Sequence, residues 1–274
     1  MKKNKILILG NGFIGKRLQE SFKCALSKAR INSFYDAERE INKYKPSIII
    51  NCIGSTGRRN VDDCELDKDA TLFANTFVPI MLAEACLRNG IKLVHVSSGC
   101  IYHFDYNKGR PIRENNIPDF FGLFYSRSKI YTERALNVLA DKCAVLIVRI
   151  RIPLDNRLHP RNILSKLITY KEIIDIPNSI TYIPDFIAAL RHLIRINASG
   201  IYNVVNKGGL RYPRLLNIYK GHKPDFKYKI INYRKLKLVR TNLILSTAKL
   251  EKTGFKTRHI NEVLKECVEQ CISC

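Results

Sequence analysis

Short apolar runs alternate, in the first half of the chain, with longer segments whose apolar residues recur at helical spacing. The runs predict buried strands in KILILG, KPSIIINCIG, IKLVHVSS and AVLIVRIRIP. The longer segments predict helices in NGFIGKRLQESF, around residues 70–89 and in FYSRSKIYTERALNVLA. This alternation predicts an α/β fold built on a doubly wound parallel sheet.

The pattern changes after Pro153, where prolines separate several short helical pieces. RHLIRINASGIYNVVN predicts one more helix and a strand that returns to the main sheet, and an amphipathic helix closes the chain. We therefore expect a nucleotide-binding domain over residues 1–152 and a smaller C-terminal substrate-binding lobe over residues 153–274.

The N-terminus and the cysteines indicate the compartment. Positive charge precedes an apolar run of about four residues before Gly10, which is far too short for a signal peptide or a membrane span. The nine cysteines are scattered and odd in number, which suits a reducing compartment where most are small buried hydrophobes. The tail CVEQCISC has one CxxC, with only His259 nearby as a further ligand, so no metal site is predicted. We expect a cytoplasmic protein that does not contact a membrane.

The net charge of +23, from 47 basic and 24 acidic residues, raises the possibility of nucleic-acid binding. The basic residues are spread along the chain, without an arginine-rich tail or a repeated basic block. A protein that binds a dinucleotide phosphate and a sugar diphosphate also gains from positive potential. The charge alone therefore decides nothing, and no nucleic-acid partner is predicted.

The first strand and the helix after it place Gly10, Gly12 and Gly15 at a strand-to-helix turn. The first glycine permits the tight turn, the second lets the backbone approach a pyrophosphate, and the third allows close helix–strand packing. A diphosphate would rest on the helix N-terminus, beside Phe13 and Ile14. The alternative is a tight turn without a ligand. The context favours a Rossmann-like dinucleotide site.

The region after the second strand bears on the choice of cofactor. NAD-specific sites usually show an acidic residue there, but this chain has Lys28 and Arg30 and no carboxylate before Asp36. Basic residues suit a 2′-phosphate, which favours NADPH and leaves NADH open. The alternative is that these residues belong to a solvated loop.

Three further residues are predicted to contact the cofactor. Asn51 and Gly54 end the strand in KPSIIINCIG, and small residues there leave room for the adenine side. Asn75 lies within the helix predicted around residues 70–89.

Ser98, Tyr125 and Lys129 form the candidate machinery for moving a hydride to or from a carbonyl. Ser98 ends a strand, where open α/β sheets place their ligands, and Tyr125 and Lys129 lie one helical turn apart. Tyrosine can donate a proton to the carbonyl oxygen when a nearby cation lowers its pKa below about 10. A hydroxyl on the other side holds that oxygen. The alternative is a surface Tyr/Lys pair, since YxxxK often occurs by chance.

The chain resembles an extended short-chain dehydrogenase/reductase over nearly its whole length. More narrowly, it resembles the bifunctional 3,5-epimerase/4-reductases that make nucleotide-linked L-rhamnose. The matching segments are GRRNVDDCE (57–65), SGCIY (98–102), GLFYSRSK (122–129), RIRIP (149–153), HPRNILSK (159–166), DIPNSIT (175–181), GIYNVVN (200–206) and RTNLILSTAKL (240–250). In three places the chain departs from the pattern: the glycine turn is one residue shorter than the usual GxxGxxG, Ser98 replaces a threonine, and Ser246 replaces an aspartate.

The resemblance implies that Cys100 is an epimerisation acid/base and that Lys166 is the second epimerisation residue. Protons alpha to a 4-keto group are acidic enough for a thiolate or an amine to remove, and a partner can return a proton from the opposite face. Without the resemblance, Cys100 reads as a small packing residue and Lys166 as a solvated lysine.

Five residues are candidates for holding sugar hydroxyls or diphosphate oxygens: Arg58, Asn60, Arg149, Arg161 and Asn162. Arginine forks match phosphate geometry, although surface or packing arginines are equally plausible. His95 and His159 are expected to be structural.

These observations lead to an expected function. The chain is predicted to be an NADPH-dependent 3,5-epimerase/4-reductase that acts on UDP- or dTDP-linked 4-keto-6-deoxyglucose, with a homodimer as the family-based expectation. One alternative is a plain nucleotide-sugar 4-ketoreductase fed by a separate epimerase. Another is a cofactor-bound scaffold or nucleic-acid-binding protein, which the intact Ser98/Tyr125/Lys129 set argues against.

Overall fold

The computed structural model describes residues 5–107, 109–140, 144–233 and 241–273, and these residues form two compact units. The first unit takes in the described residues of 1–101, 118–149 and 197–202, and the second those of 102–117, 150–196 and 203–274. The main division, after residue 149, lies close to the predicted boundary after residue 152. Segment 102–117 belongs to the second unit because Ile112 pairs with the strand-like segment around Leu245.

The first unit is built on a six-stranded sheet with the strand order β2-β1-β3-β4-β5-β9. Its strands are β1 (Ile6–Leu9), β2 (Ala25–Ser27), β3 (Ile48–Asn51), β4 (Lys92–Ser98), β5 (Val145–Ile150) and β9 (Gly200–Asn203). β1 pairs in parallel with both β2 and β3, and β3 pairs in parallel with β4. The chain order reverses between β1 and β3, and ligands of doubly wound sheets bind at such a point, beyond the carboxyl ends of the strands. The predicted fold class is confirmed.

The helices of the first unit cover the sheet: α1 (Phe13–Phe22), α2 (Phe34–Tyr44), α3 (Lys68–Leu72), α4 (Val78–Arg88) and α5 (Phe124–Leu139). α2 was not predicted from the sequence, although Ser33 and Asp36 form a capping box at its start. The Ser33 side chain accepts from the Asp36 N–H, and the Asp36 carboxylate accepts from the Ser33 N–H, which satisfies two backbone donors that the helix leaves unpaired.

The helix predicted around residues 70–89 runs from Lys68 to Arg88 and contains one π turn, Phe73–Phe77, between α3 and α4. By length and composition this helix could cross a membrane, but half of its most apolar window is buried. Val78, Leu82, Ala85 and Cys86 of α4 pack in the same core as residues of β1, β3 and β4. Such packing is typical of the core helix of a globular domain.

The second unit has its own hydrophobic core. Its elements are β6 (Pro153–Leu154), α6 (Ile163–Leu167), β7 (Glu172–Ile174), β8 (Thr181–Tyr182), α7 (Ile183–Arg195), α8 (Tyr212–His222), β10 (Lys229–Ile231), α9 (Ala248–Glu251) and α10 (Ile260–Ser273). α10 is the predicted closing helix and buries one face at helical spacing. That face includes Cys267 and Cys271, whose thiols both donate to the Asp155 carbonyl; Cys274, the end of the CxxC, lies outside the described residues.

Candidate active site

The glycine turn between β1 and α1 has the tight packing that its sequence predicts. Gly10 has φ +107°, a conformation that residues with a side chain rarely adopt. A β carbon on Gly15 would lie 1.9 Å from the Gly10 carbonyl oxygen, whereas one on Gly12 would meet nothing within 4 Å. The space in front of Gly12 is therefore open. Gly12 is the N-cap residue of α1 and has no side chain to cap the helix. The unpaired backbone N–H groups at the start of α1 therefore suit an anionic group such as a diphosphate.

Replacing Gly15 by alanine is expected to lower the free energy of unfolding by about 3 kcal/mol, because the added methyl group overlaps backbone that cannot move aside. Urea unfolding measures this, and NADPH titration should show weaker binding at the distorted turn. Gly221→Ala is the matched control, since a β carbon there meets nothing within 4 Å and the exposed helix gains from alanine. Equal stability of the two variants would contradict the packing argument.

The end of β2 carries the residues that bear on cofactor choice. Lys28 and Arg30 are exposed just after Ser27. Asp36 is occupied: its carboxylate caps α2 and pairs with Arg39 at 2.7 Å. Hydrogen bonds from the Asn32 backbone and the Ser33 side chain lower the pKa of Asp36. Asp36, the first carboxylate after β2 in the sequence, is therefore used in the helix cap, and Lys28 and Arg30 are exposed basic residues at this strand end.

Asn51 and Asn75, two of the predicted cofactor contacts, form hydrogen bonds within the protein instead. The Asn51 side chain is fully buried; its oxygen accepts from the Ile53 N–H at 2.9 Å and its amide donates to His95 Nδ1 at 3.1 Å. The Asn75 side chain, also fully buried, bonds both backbone groups of Ser55 and the Ser128 hydroxyl. Their hydrogen-bonding atoms are thus used internally, and we correct both assignments from direct cofactor contact to support of the strand ends.

Gly54 lies beside the Lys129 side chain of α5. A β carbon at this position would come within 3.0 Å of Asn75 Oδ1 and 3.4 Å of Lys129 Nζ. The glycine after β3 therefore allows the ammonium group of Lys129 to approach the carboxyl end of the sheet. The π turn that carries Asn75 packs against α5 at the same level, and π turns are frequent at functional sites.

Tyr125 and Lys129 lie on the first two turns of α5 and are 6% and 4% exposed. Burial lowers the pKa of Lys129 to about 8, an effect that the Glu133 carboxylate opposes. Burial also raises the pKa of Cys52 to about 12 and lowers that of His95 well below its usual value. Both neighbours are therefore neutral at pH 7, whereas Lys129 keeps its proton there and lies one helical turn from the tyrosine.

The pKa of Lys129 predicts an alkaline limit to ketone reduction. Its folded value lies below the usual one, so the ammonium loses its proton as pH rises through about 8, and the phenol loses its neighbouring cation. We expect kcat/KM for reduction to fall above that pH while the protein stays folded. In Lys129→Arg, which keeps its charge throughout this range, the decline should move to higher pH. A profile that stays flat from pH 7 to 10 in the wild type would contradict the assignment.

Ser98 and Cys100 lie at the carboxyl end of β4. The Cys100 N–H donates to Ser98 Oγ at 3.2 Å, so the serine oxygen accepts there and its own hydrogen can be donated elsewhere. The Ser126 hydroxyl donates to the Cys100 carbonyl at 2.5 Å. Ser98 is buried, whereas Cys100 is partly exposed. The strand end thus presents a hydroxyl donor and a thiol two residues apart.

Arg149 is a further correction, because its guanidinium is committed to a buried ion pair. It bonds the Glu133 carboxylate through Nη2 at 2.6 Å and through Nε at 2.9 Å, and Ser97 Oγ donates to the same carboxylate at 2.5 Å. Arg149 is 1% exposed. Breaking a buried pair typically costs about 3–5 kcal/mol, so we assign Arg149 to joining β4, α5 and β5 rather than to substrate binding.

The loop after β3 forms an open cleft of about 810 Å³ lined by Arg58, among other residues. Arg58 is exposed, as a residue that binds a charged ligand must be. The Asn60 side chain accepts from the Asp62 N–H at 2.8 Å and starts a short 3₁₀ helix, Val61–Glu65. Asn60 therefore shapes this loop, and its side chain remains partly exposed.

Three predicted residues lie in the second unit. Lys166 is partly exposed on α6, and Arg161 is partly exposed just before it. Asn162 is fully buried: its oxygen caps α6 through the Leu164 N–H at 3.1 Å, and its amide donates to the carbonyls of Asp155 and Arg157. We therefore correct Asn162 from a substrate contact to the N-cap of the helix that carries Lys166.

Ser126 and Glu133 were not predicted from the sequence, but they contact the predicted residues Cys100 and Arg149. Glu133 follows Lys129 by four positions, and this spacing on one helix face could have indicated it. Ser126 offered no comparable signal, since only the fold places its hydroxyl against Cys100.

The dinucleotide turn, the parallel sheet and the Ser98/Tyr125/Lys129 set define the class as Rossmann-type reductases and epimerases. Within it, the chain belongs to the RmlD substrate binding domain family, whose model matches residues 4–173, more than half of the chain.

Known relatives agree with this assignment. The chain is 31% identical over 227 residues to a bifunctional dTDP-4-dehydrorhamnose 3,5-epimerase/dTDP-4-dehydrorhamnose reductase from Arabidopsis thaliana, covering 80% of this chain and 74% of that protein. It is 31% identical over 264 residues to a trifunctional UDP-glucose 4,6-dehydratase/UDP-4-keto-6-deoxy-D-glucose 3,5-epimerase/UDP-4-keto-L-rhamnose-reductase from the same plant, covering 90% of this chain but 39% of that protein. The crystal structure of a UDP-rhamnose synthase from Acanthamoeba polyphaga mimivirus superposes with a TM-score of 0.89 at 28% identity and covers 97% of this chain and 99% of that one.

Proposed function

We propose that this chain is an NADPH-dependent epimerase/reductase that converts a UDP- or dTDP-linked 4-keto-6-deoxyglucose to the nucleotide-linked L-rhamnose. The observation that carries the proposal is a set of hydrogen bonds at the end of β4. These bonds link the residues assigned to reduction with the cysteine assigned to proton exchange. Ser98 and Cys100 share a hydrogen bond, and Ser126, the neighbour of Tyr125, bonds the Cys100 carbonyl. These contacts support the assignment of Ser98 and Tyr125 to reduction and of Cys100 to proton exchange in the first unit.

The residues of the glycine turn fit a dinucleotide. Open space in front of Gly12 and the uncapped start of α1 suit a diphosphate, and Lys28 and Arg30 suit a 2′-phosphate at the end of β2. NADPH, when bound, supplies the hydride for the ketone carbon. The chain's own residues hold and protonate the oxygen.

Reduction then follows from the site chemistry. The Ser98 oxygen accepts the Cys100 N–H through one lone pair, and its hydroxyl hydrogen is donated to the ketone oxygen. Tyr125 delivers a proton to that oxygen, and the charge of Lys129 favours the phenolate that remains.

Epimerisation requires a proton to leave C3 or C5 and another to return on the opposite face. The ketone makes these protons acidic, and holding its oxygen stabilises the resulting enolate. We assign Cys100 to one face, since its partly exposed thiol lies two residues from Ser98. Lys166 is assigned as the second epimerisation residue on family resemblance.

The decisive experiment incubates the protein with NADPH and the UDP- or dTDP-linked keto-sugar and identifies the product by NMR. We expect NADPH oxidation and an L-rhamnose nucleotide. Absence of NADPH oxidation with both substrates would reject the proposal. A product that keeps the original configuration at C3 and C5 would instead indicate a plain 4-ketoreductase.

A cytoplasmic location and a homodimer are further parts of the proposal. Cell fractionation and light scattering of the purified protein are the measurements that test them.

A further inference from the structure

The backbone of Cys100 is held on both sides by serine hydroxyls. Its N–H donates to Ser98 Oγ at 3.2 Å, and its carbonyl accepts from the Ser126 hydroxyl at 2.5 Å, the short end of the range for O–H···O bonds. These two groups belong to the peptide planes before and after the Cys100 α carbon. Both planes are therefore fixed, and the Cα–Cβ bond keeps one direction.

Ser126 does not reach the substrate itself. Its side chain is fully buried, whereas Cys100 is partly exposed. Any influence of Ser126 on the reaction must therefore pass through the groups that it bonds. Because Ser126 directly follows Tyr125 in α5, the helix that carries the proton donor for reduction also fixes the cysteine.

We propose that Ser126 is a positioning residue for epimerisation, which holds the Cys100 thiol in line with the protons beside the ketone. With both peptide planes fixed, Sγ moves only by rotation about χ1, among three staggered positions. Proton transfer requires the acid or base to lie within hydrogen-bond reach of the carbon-bound proton. Loss of the Ser126 bond frees the Cys100 carbonyl and widens the range of thiol positions. This inference rests on the proposed function.

Measuring epimerisation and reduction separately distinguishes a positioning role of Ser126 from a general structural role. Solvent-deuterium exchange at C3 and C5 of the keto-sugar reports epimerisation, and NADPH oxidation with the already epimerised 4-keto-L-rhamnose nucleotide reports reduction. In Ser126→Ala we expect exchange to fall about tenfold or more, because small misplacements of a reacting group can cost up to about 100-fold. Reduction of the epimerised ketone should stay within about twofold, since Tyr125, Lys129 and Ser98 keep their contacts.

Two further variants make the test specific. Ser126→Thr keeps a hydroxyl on the same β carbon and should retain most of the exchange activity. Ser179→Ala removes an equally buried serine of the second unit, whose hydroxyl accepts from the Leu245 N–H, and should lower stability without lowering exchange selectively. If Ser126→Ala does not fold, Ser126→Cys, with a side chain of similar size and a weaker donor, carries the same expectation.

The outcomes are distinct. Exchange in the wild type together with unchanged exchange in Ser126→Ala overturns the positioning role and leaves the proposed function standing. Equal losses in both half-reactions overturn it as well, because they indicate general damage to the site. A wild type that reduces the epimerised ketone without any exchange overturns both the positioning role and the epimerase part of the proposed function.

Discussion

Replacing Tyr125 by phenylalanine is expected to lower ketone reduction by about 1000-fold while leaving deuterium exchange at C3 and C5 largely intact. The change removes the hydroxyl that protonates the ketone oxygen, and positioned general acids contribute about 100- to 10,000-fold. The ring itself remains, so the packing of this 6% exposed side chain should survive. Single-turnover NADPH oxidation with the epimerised keto-sugar measures the loss, and NMR measures the exchange.

Tyr131→Phe is the matched control for Tyr125→Phe. It removes a tyrosine hydroxyl from the same helix at a position that is 42% exposed, and we expect unchanged reduction. Near-normal reduction in Tyr125→Phe would mean that another group or a water molecule protonates the oxygen.

Replacing Cys100 by alanine should have the opposite selectivity. The thiol is assigned to proton transfer at C3 and C5, so exchange is expected to fall by about 100-fold or more. Reduction of the epimerised ketone should continue, because Ser98 and Tyr125 are untouched and alanine keeps the backbone groups that the serines bond. Overall conversion of the unepimerised keto-sugar to the L-rhamnose nucleotide should fall with exchange.

Cys24→Ala is the control for loss of a thiol, since Cys24 is a partly exposed cysteine just before β2. It should leave both half-reactions unchanged. Retained exchange in Cys100→Ala would remove the cysteine from the mechanism and favour the plain reductase. Opposite selectivity of the Tyr125 and Cys100 variants, in contrast, would show that α5 and the end of β4 serve two separate chemical steps.

The strands and helices that hold this site could be predicted from sequence because each follows a strong pattern. The apolar runs end in Gly10, Asn51 and Ser98, and all three lie at or just beyond the carboxyl ends of strands in the sheet. The spacing of Tyr125 and Lys129 places them on successive turns. Residue type and spacing were therefore enough to predict where a residue lies when its own strand or helix decides its position.

Individual hydrogen bonds could not be predicted in the same way. Arg149 has the right chemistry for a diphosphate, but Glu133 on a neighbouring helix takes its guanidinium. Asn51, Asn75 and Asn162 have amides that suit a ligand, yet backbone groups and buried side chains occupy them. Such pairings depend on which elements pack together, and the sequence pattern does not contain that information.

The predicted substrate contacts differ in their exposure to solvent. Arg58 and Arg161 keep exposed or partly exposed side chains, whereas Arg149 and Asn162 are buried. Arg58 and Arg161 therefore remain the predicted contacts of the diphosphate or of the sugar hydroxyls.

The π turn at Phe73–Phe77 makes the packing of this helix depend on the number of residues in the segment. Each residue of an α-helix advances the chain by about 100°, and the extra residue of the π turn rotates everything after it by that amount. With this offset, Asn75 faces the loop at Ser55 while Leu82 and Cys86 face the core. Deleting one residue between Phe73 and Phe77 would restore a regular helix but turn one of these two faces away from its partners. We therefore expect this stretch to tolerate substitutions on its exposed side, such as at Phe77, and to reject any change in length.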